Sequence, residues 1–208
     1  MIRWNKAVDL LLPELTDCPW PMAESRLILA AREFFTKSGA WRHDLEPFYS
    51  YAGIGEYEAM DIPDAEIVRV VLAFFDGNEI EPVTADQWAA IEAKPPYTAG
   101  PPKFISYSDE LLLVSPAPQD DGKEMRATVT LRPPLNAKGL EDQLWNDYIE
   151  AIVEGAKARL YLSQGKPYTE TTLAAAASSK FKDAIRTAQW KVAKGQTRGR
   201  GRVRAHFF

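Results

Sequence analysis

One cysteine and two histidines are all that 208 residues provide for sulfur or imidazole chemistry. With Cys18 alone there is no internal disulfide and no cysteine-rich zinc site. His43 and His206 do not make a metal-ligand set, and no nucleophile signature surrounds Cys18. Long apolar runs are missing too: none approaches the roughly 18 residues of a membrane span. The opening MIRWNKAVDLLLPEL contains acidic residues and no small-residue cleavage site, which argues against a signal peptide. Gly53-Ile54-Gly55 lacks the third glycine and following helix of a dinucleotide site, and no Walker-type lysine loop exists. The carboxylates Glu141, Asp142, Asp147 and Glu150 share the polar face of one predicted helix, where a solvated or subunit-facing surface explains them without acid–base chemistry. The expectation is a soluble non-enzyme of a reducing compartment, with no catalytic residue, metal, cofactor or membrane partner.

Acidic residues are absent from one stretch, and that absence is informative. Lys191, Lys194, Arg198, Arg200, Arg202 and Arg204 occupy the last 18 positions without a carboxylate among them. The net charge is −4, so residues 1–190 carry −10. An acidic body with a basic tail indicates a separate partner for the tail. Hydrophobic residues at 46% and charged residues at 26% describe a globular chain.

The strongest pattern in the chain is a helix over 140–162. Trp145, Ile149, Ile152, Ala156 and Leu160 recur at helical spacing, and Leu144, Tyr148, Ala151, Gly155 and Leu162 widen the apolar arc, as for a helix contacted on two sides. Gly155 costs about 1 kcal/mol against alanine in a helix interior, so another backbone is expected close to the Gly155-Ala156 pair. Before it, residues 2–12 predict a short helix ended by Pro13, and 22–37 a second, with Pro21 at its start and Gly39 just beyond its end. After it, 171–194 repeats Leu173, Ala177, Phe181, Ile185, Ala188 and Val192. The short loop 163–168 places these last two helices antiparallel.

The middle of the chain is β-rich. PFYSYAGIGEYE (47–58) reads as a hairpin or bulged strand, and IVRVVLAFF (67–75) as a buried strand turning at Asp76-Gly77. Thr84 to Gln87 matches a capping box for a helix over 85–93. A second hairpin joins 103–107 to 111–115, and 124–132 alternates as a further strand. The fold class is therefore α+β: a helical bundle from both ends of the chain (1–45 and 134–194), a central antiparallel β section (46–133) and a basic C-terminal arm (195–208).

The arm is the clearest interaction element. Arg198, Arg200, Arg202 and Arg204 can neutralise phosphates in salt-dependent nucleic-acid binding. Equally, they can meet carboxylates in a protein groove while Phe207 and Phe208 fill a pocket beside His206. Two exposed phenylalanines add nothing to a purely electrostatic tail, which favours the protein partner. A small nucleic-acid-binding module using this tail is the alternative.

These pieces in this order resemble the head–tail adaptor (connector, or neck) proteins of tailed bacteriophages. The resemblance rests on ESRLILAAREFFTKSGAWR, FYSYAGIGEYE, VVLAFFDGNEIEPVT, LLLVSPAP, the long segment VTLRPPLNAKGLEDQLWNDYIEAIVEGAKARLYLSQGKPY, the last helix and the basic tail. It implies a structural, non-enzymatic protein found in the virion neck and, during assembly, in the host cytoplasm. Copies would form a ring, usually twelvefold, beneath the portal protein, with tail or nozzle proteins below and genomic DNA passing without sequence-specific contact. By position, 195–208 would reach the portal, with Arg198, Arg200, Arg202, Arg204, His206, Phe207 and Phe208 as the docking residues. Trp145, Ile149, Ile152, Gly155 and Ala156 would be the helix-packing residues that support the ring protomer.

Overall fold

The computed structural model describes residues 1–15, 17–93 and 99–195. The chain divides into two compact units: Met1–Ala40 with Leu135–Phe208, and Trp41–Pro134. The first strand of the middle section, Arg42–Asp44, falls in the second unit.

Unit 1 is mainly helical. Its elements are β1 (Ile2–Arg3), α1 (Asn5–Leu11), a 3-10 turn (Leu12–Glu14), α2 (Trp20–Ser38), β10 (Gly139–Leu140), α4 (Asp142–Leu160) and α5 (Thr171–Lys194). Proline at the second helical position opens α2, and Gly39 ends it in the left-handed region at φ 61°, where a side chain would be disfavoured. Helix α4 carries Asp142 in its first turn and Lys157 and Arg159 in its last, matching the polarity of the peptide dipoles. α4 packs against both α2 and α5, which accounts for its wide apolar arc.

Two expectations need correction here. Residues 2–3 and 139–140 are not helical; they pair as an antiparallel ribbon, Ile2 opposite Leu140 and Arg3 opposite Gly139. Glycine makes the approach feasible, because a Cβ on Gly139 would lie 2.1 Å from the Ile2 carbonyl oxygen. Helical periodicity takes Ile2 and Leu140 in at the ends of its helices but is blind to this long-range pairing.

Unit 2 is a curled sheet. Its strands are β2 (Arg42–Asp44), β3 (Phe48–Tyr49), β4 (Glu56–Glu58), β5 (Glu66–Phe75), β6 (Asn78–Pro82), β7 (Phe104–Ser108), β8 (Leu111–Ser115) and β9 (Glu124–Arg132), with α3 (Ala85–Glu92) between β6 and β7. The order is β2-β9-β5-β6-β7-β8-β4, with β3 also on β9. All pairings are antiparallel except β6 with β7. Helix α3 supplies the connection that a parallel pair requires, and its Thr84–Gln87 capping box is formed.

Asp76 and Gly77 both have positive φ, as a two-residue hairpin turn demands. Residues 47–58 depart from the sequence reading. β3 and β4 do not form a hairpin; they pair with β9 and β8 respectively. The glycine-containing loop between them carries the chain from one part of the sheet to another.

Candidate functional site

The helix-packing residues lie together in unit 1. Trp145, Ile149, Ile152 and Ala156 are buried on α4, with Ile152 and Ala156 fully so. Trp145 lies against Trp4, ring centroids 6.3 Å apart. The close neighbour of Gly155 is a ring rather than a backbone: an added Cβ would sit 2.6, 2.7 and 2.9 Å from three Phe181 ring carbons. Phe181 also contacts Phe34 (6.2 Å), and the Arg159 guanidinium lies 5.7 Å from its centroid. Arg159 donates to the Gly155 carbonyl at 2.7 Å and pairs with Glu33. This cluster organises unit 1; it presents no chemistry of its own.

Lys157 is the buried cation of the unit, its side chain 10% exposed. Its ammonium meets Glu14 at 2.7 Å and Glu154 at 3.2 Å. Burial pushes Lys157 down, but hydrogen bonds and charge from these two carboxylates outweigh it and hold the group above its ordinary value. Around Glu33, burial pushes the carboxyl up, while Lys37 and Arg159 prevail and keep it below the usual carboxylate range. Both groups therefore remain charged around neutral pH as structural pairs.

Cys18 is buried and its thiol is pushed up by burial, the opposite of an activated nucleophile. His43 lies on β2 in unit 2, Cys18 in unit 1. Glu141, Asp142, Asp147 and Glu150 are exposed. Among the described residues no group of three or more His, Cys, Asp or Glu is placed to hold a metal ion, and no helix is long and apolar enough to cross a membrane. Arg198, Arg200, Arg202, Arg204, His206, Phe207 and Phe208 lie outside the described residues.

Two surfaces that sequence reasoning missed stand out. On unit 2, strand alternation turns Glu124, Arg126 and Thr128 of β9 outward while Met125, Ala127 and Val129 are buried. Leu72 is opposite Thr128, and Phe74 is opposite Arg126. On the other side of β9, Asp44 is opposite Thr128 and Tyr49 is opposite Glu124. Leu45, Pro47, Leu72 and Phe74 with Asp44, Glu124, Arg126 and Thr128 line a groove of about 680 Å³, apolar along its floor and charged along its rim. Leu72 is 37% and Tyr49 56% exposed.

The adjoining β3–β4 loop is held by hydrogen bonds from Ala52 N–H to Asp121 (2.6 Å), Gly53 N–H to the Pro118 carbonyl (2.8 Å) and the Tyr57 hydroxyl to the Ile54 carbonyl (2.8 Å). Tyr51 and Ile54 are thus displayed on a braced loop. The signal available in sequence was Leu72 and Phe74 at alternate positions of β5. An apolar run such as IVRVVLAFF hides it, because both faces read as buried.

On unit 1, Arg3, Asn5, Trp20, Glu24, Ile28, Asn136, Ala137 and Lys138 line a second groove, of about 640 Å³. Only the β1–β10 ribbon brings residues 3–5 and 136–138 together, so no local motif announces it.

The unit boundaries also resolve the charge. Unit 2 holds 17 acidic and 7 basic side chains, net −10, and unit 1 holds 12 and 18, net +6. Removing the four arginines of 196–208 leaves unit 1 at +2. The acidity expected of the whole body is thus a property of the β unit alone. A net charge of this sign opposes close approach of nucleic-acid phosphate to unit 2.

Comparison with curated proteins returns no match. The family model of the SU10 adaptor protein matches residues 7–205. With nearly the whole chain covered, and in keeping with the resemblance to phage head–tail adaptors, this protein belongs to the SU10 adaptor protein family.

Proposed function

We propose that the protein is a structural adaptor of the virion neck, assembled as a ring beneath the portal protein after synthesis in the host cytoplasm. The observation that carries the reading is the family match over residues 7–205. Twelve copies, the number the resemblance implies, would extend the path of the genomic DNA, and tail or nozzle proteins would dock below. The helices from both ends of the chain form the ring-building bundle, supported by Trp145, Ile149, Ile152, Gly155 and Ala156. The outward groove of unit 2, with Leu72 and Phe74 beside Asp44, Glu124 and Arg126, gives the tail component its platform. Unit 2 at net −10 has no affinity for phosphate, so DNA in its neighbourhood slides without sticking.

Portal docking falls to 195–208, whose Arg198, Arg200, Arg202 and Arg204 meet carboxylates while His206, Phe207 and Phe208 enter a pocket. Fully burying one phenylalanine contributes about 1.5–3 kcal/mol, and repeated arms in a ring add through effective concentration.

Negative-stain imaging of the purified chain, alone and mixed with portal rings, tests the reading. Rings that cap portals are expected. Truncation after Gly195 should abolish capping while leaving the melting transition in place. Truncated protein that still caps portals would overturn the arm assignment. Loss of DNA retention without loss of capping would favour the nucleic-acid module instead.

A further inference from the structure

The positive side of the charge division includes a groove in unit 1. Five cations there are committed to ion pairs: Lys37 to Glu33, Lys157 to Glu14 and Glu154, Arg159 to Glu33, Lys180 to Glu154 and Arg186 to Asp183. Arg3 and Lys138 are exposed and make no ion pair among the described residues. The β1–β10 ribbon sets them side by side, since Arg3 is opposite Gly139 and Trp4 N–H donates to the Lys138 carbonyl at 3.3 Å. They share their groove with Trp20, which is 40% exposed, with Ile28, and with the amides of Asn5 and Asn136. Glu24 is the one carboxylate against the two cations, so the groove remains net positive. Its chemistry suits an extended segment with an apolar side chain beside carboxylates.

The chain carries such a segment on unit 2. Between β4 and β5, Met60 stands 52% exposed, followed by exposed Asp61 and Asp64. The loop is anchored by Ala59 N–H to the Glu110 carbonyl (2.9 Å) and Ala65 N–H to the Ile62 carbonyl (3.2 Å). Neither aspartate has an ion pair among the described residues, whereas Asp44 and Asp121 already accept hydrogen bonds from Thr128 and Ala52.

We propose that the Arg3–Lys138 groove of one copy receives the Met60–Asp64 segment of a second copy, with Met60 against Trp20 and the aspartates on the two cations. Thioether and indole attract one another, and the opposite charges fix the orientation. Groove and segment belong to different stretches of one chain, so the contact can pass from copy to copy, and it gives a ring when the rotation closes. This deepens the ring reading and rests on it.

The full chain tests it by native mass spectrometry and sedimentation across a salt series. Assembly should weaken as salt rises. Arg3→Glu with Lys138→Glu should raise the concentration needed for assembly about tenfold or more, as should Asp61→Lys with Asp64→Lys. All four together should restore it towards the wild-type value. The four substituted side chains are exposed, as are Met60 and Trp20, and unchanged thermal unfolding verifies that each variant folds. Charge reversals that leave assembly untouched, or a quadruple variant that fails to regain it, overturn this contact while the ring stands. A wild-type chain that stays monomeric at every concentration overturns the ring and this contact together.

Discussion

Replacing Gly155 by alanine sets two physical effects against each other with opposite signs. Helix propensity favours the change by about 1 kcal/mol. The Phe181 ring opposes it, because the new Cβ would be 2.6–2.9 Å from three ring carbons. That ring is not a free chain end: Phe34 and Arg159 hold it from other sides. Overpacking of this kind costs about 1–3 kcal/mol, so Gly155→Ala should lower stability by up to about 2 kcal/mol, and Gly155→Leu should lower it more. Removing the opposing atoms reverses the sign. In a Phe181→Leu background the same alanine should be neutral or stabilising, by up to about 1 kcal/mol. The coupling energy between positions 155 and 181 is then about 1–3 kcal/mol. Urea unfolding followed by helical circular dichroism on the four proteins measures it. Zero coupling, with Gly155→Ala stabilising both backgrounds equally, would refute the contact as the reason for glycine.

Gly139→Ala should detach the β1–β10 ribbon, because the new Cβ would meet a backbone carbonyl 2.1 Å away; faster hydrogen exchange at the Trp4 amide, with α2 unaffected, is the check. Tyr57→Phe removes the hydroxyl that donates to the Ile54 carbonyl at 2.8 Å, at a cost of about 0.5–1.5 kcal/mol, and should speed exchange at Tyr51 while β9 amides stay protected. Lys157→Met should destabilise by about 1–3 kcal/mol, less than the roughly 3–5 kcal/mol of a fully buried broken pair, since Glu14 is half exposed and Glu154 retains Lys180. Because Lys157 is held above its ordinary value, its contribution is complete below the unfolded-state pKa of about 10.4 and is lost as pH rises through the folded value. The stability gap between wild type and Lys157→Met should therefore be flat from neutral pH to about pH 10 and shrink above it.

Local chemistry determined much of this protein without help from the fold. Periodicity places α4 and α5, Gly39 stops α2, Asp76-Gly77 turns β5 into β6, and Thr84 with Gln87 opens α3; each depends on neighbours within a few residues. The family was legible for the same reason, as an order of such local pieces. Tertiary structure decided what depends on distant partners. It drew Ile2 and Leu140 out of helices into a ribbon, separated β3 from β4 onto different neighbours, and put a phenyl ring where a backbone was expected beside Gly155.

It also decided where the charge lies. A linear count sees an acidic body and a basic tail, but 41–134 folds as its own unit and takes the entire acidic excess with it. The two grooves follow the same logic. Arg3 and Lys138 are 135 positions apart, and Leu72 and Phe74 look like core until β9 pairs alongside and turns them outward. Sequence periodicity reports which side chains are apolar; only strand pairing determines which of them face solvent.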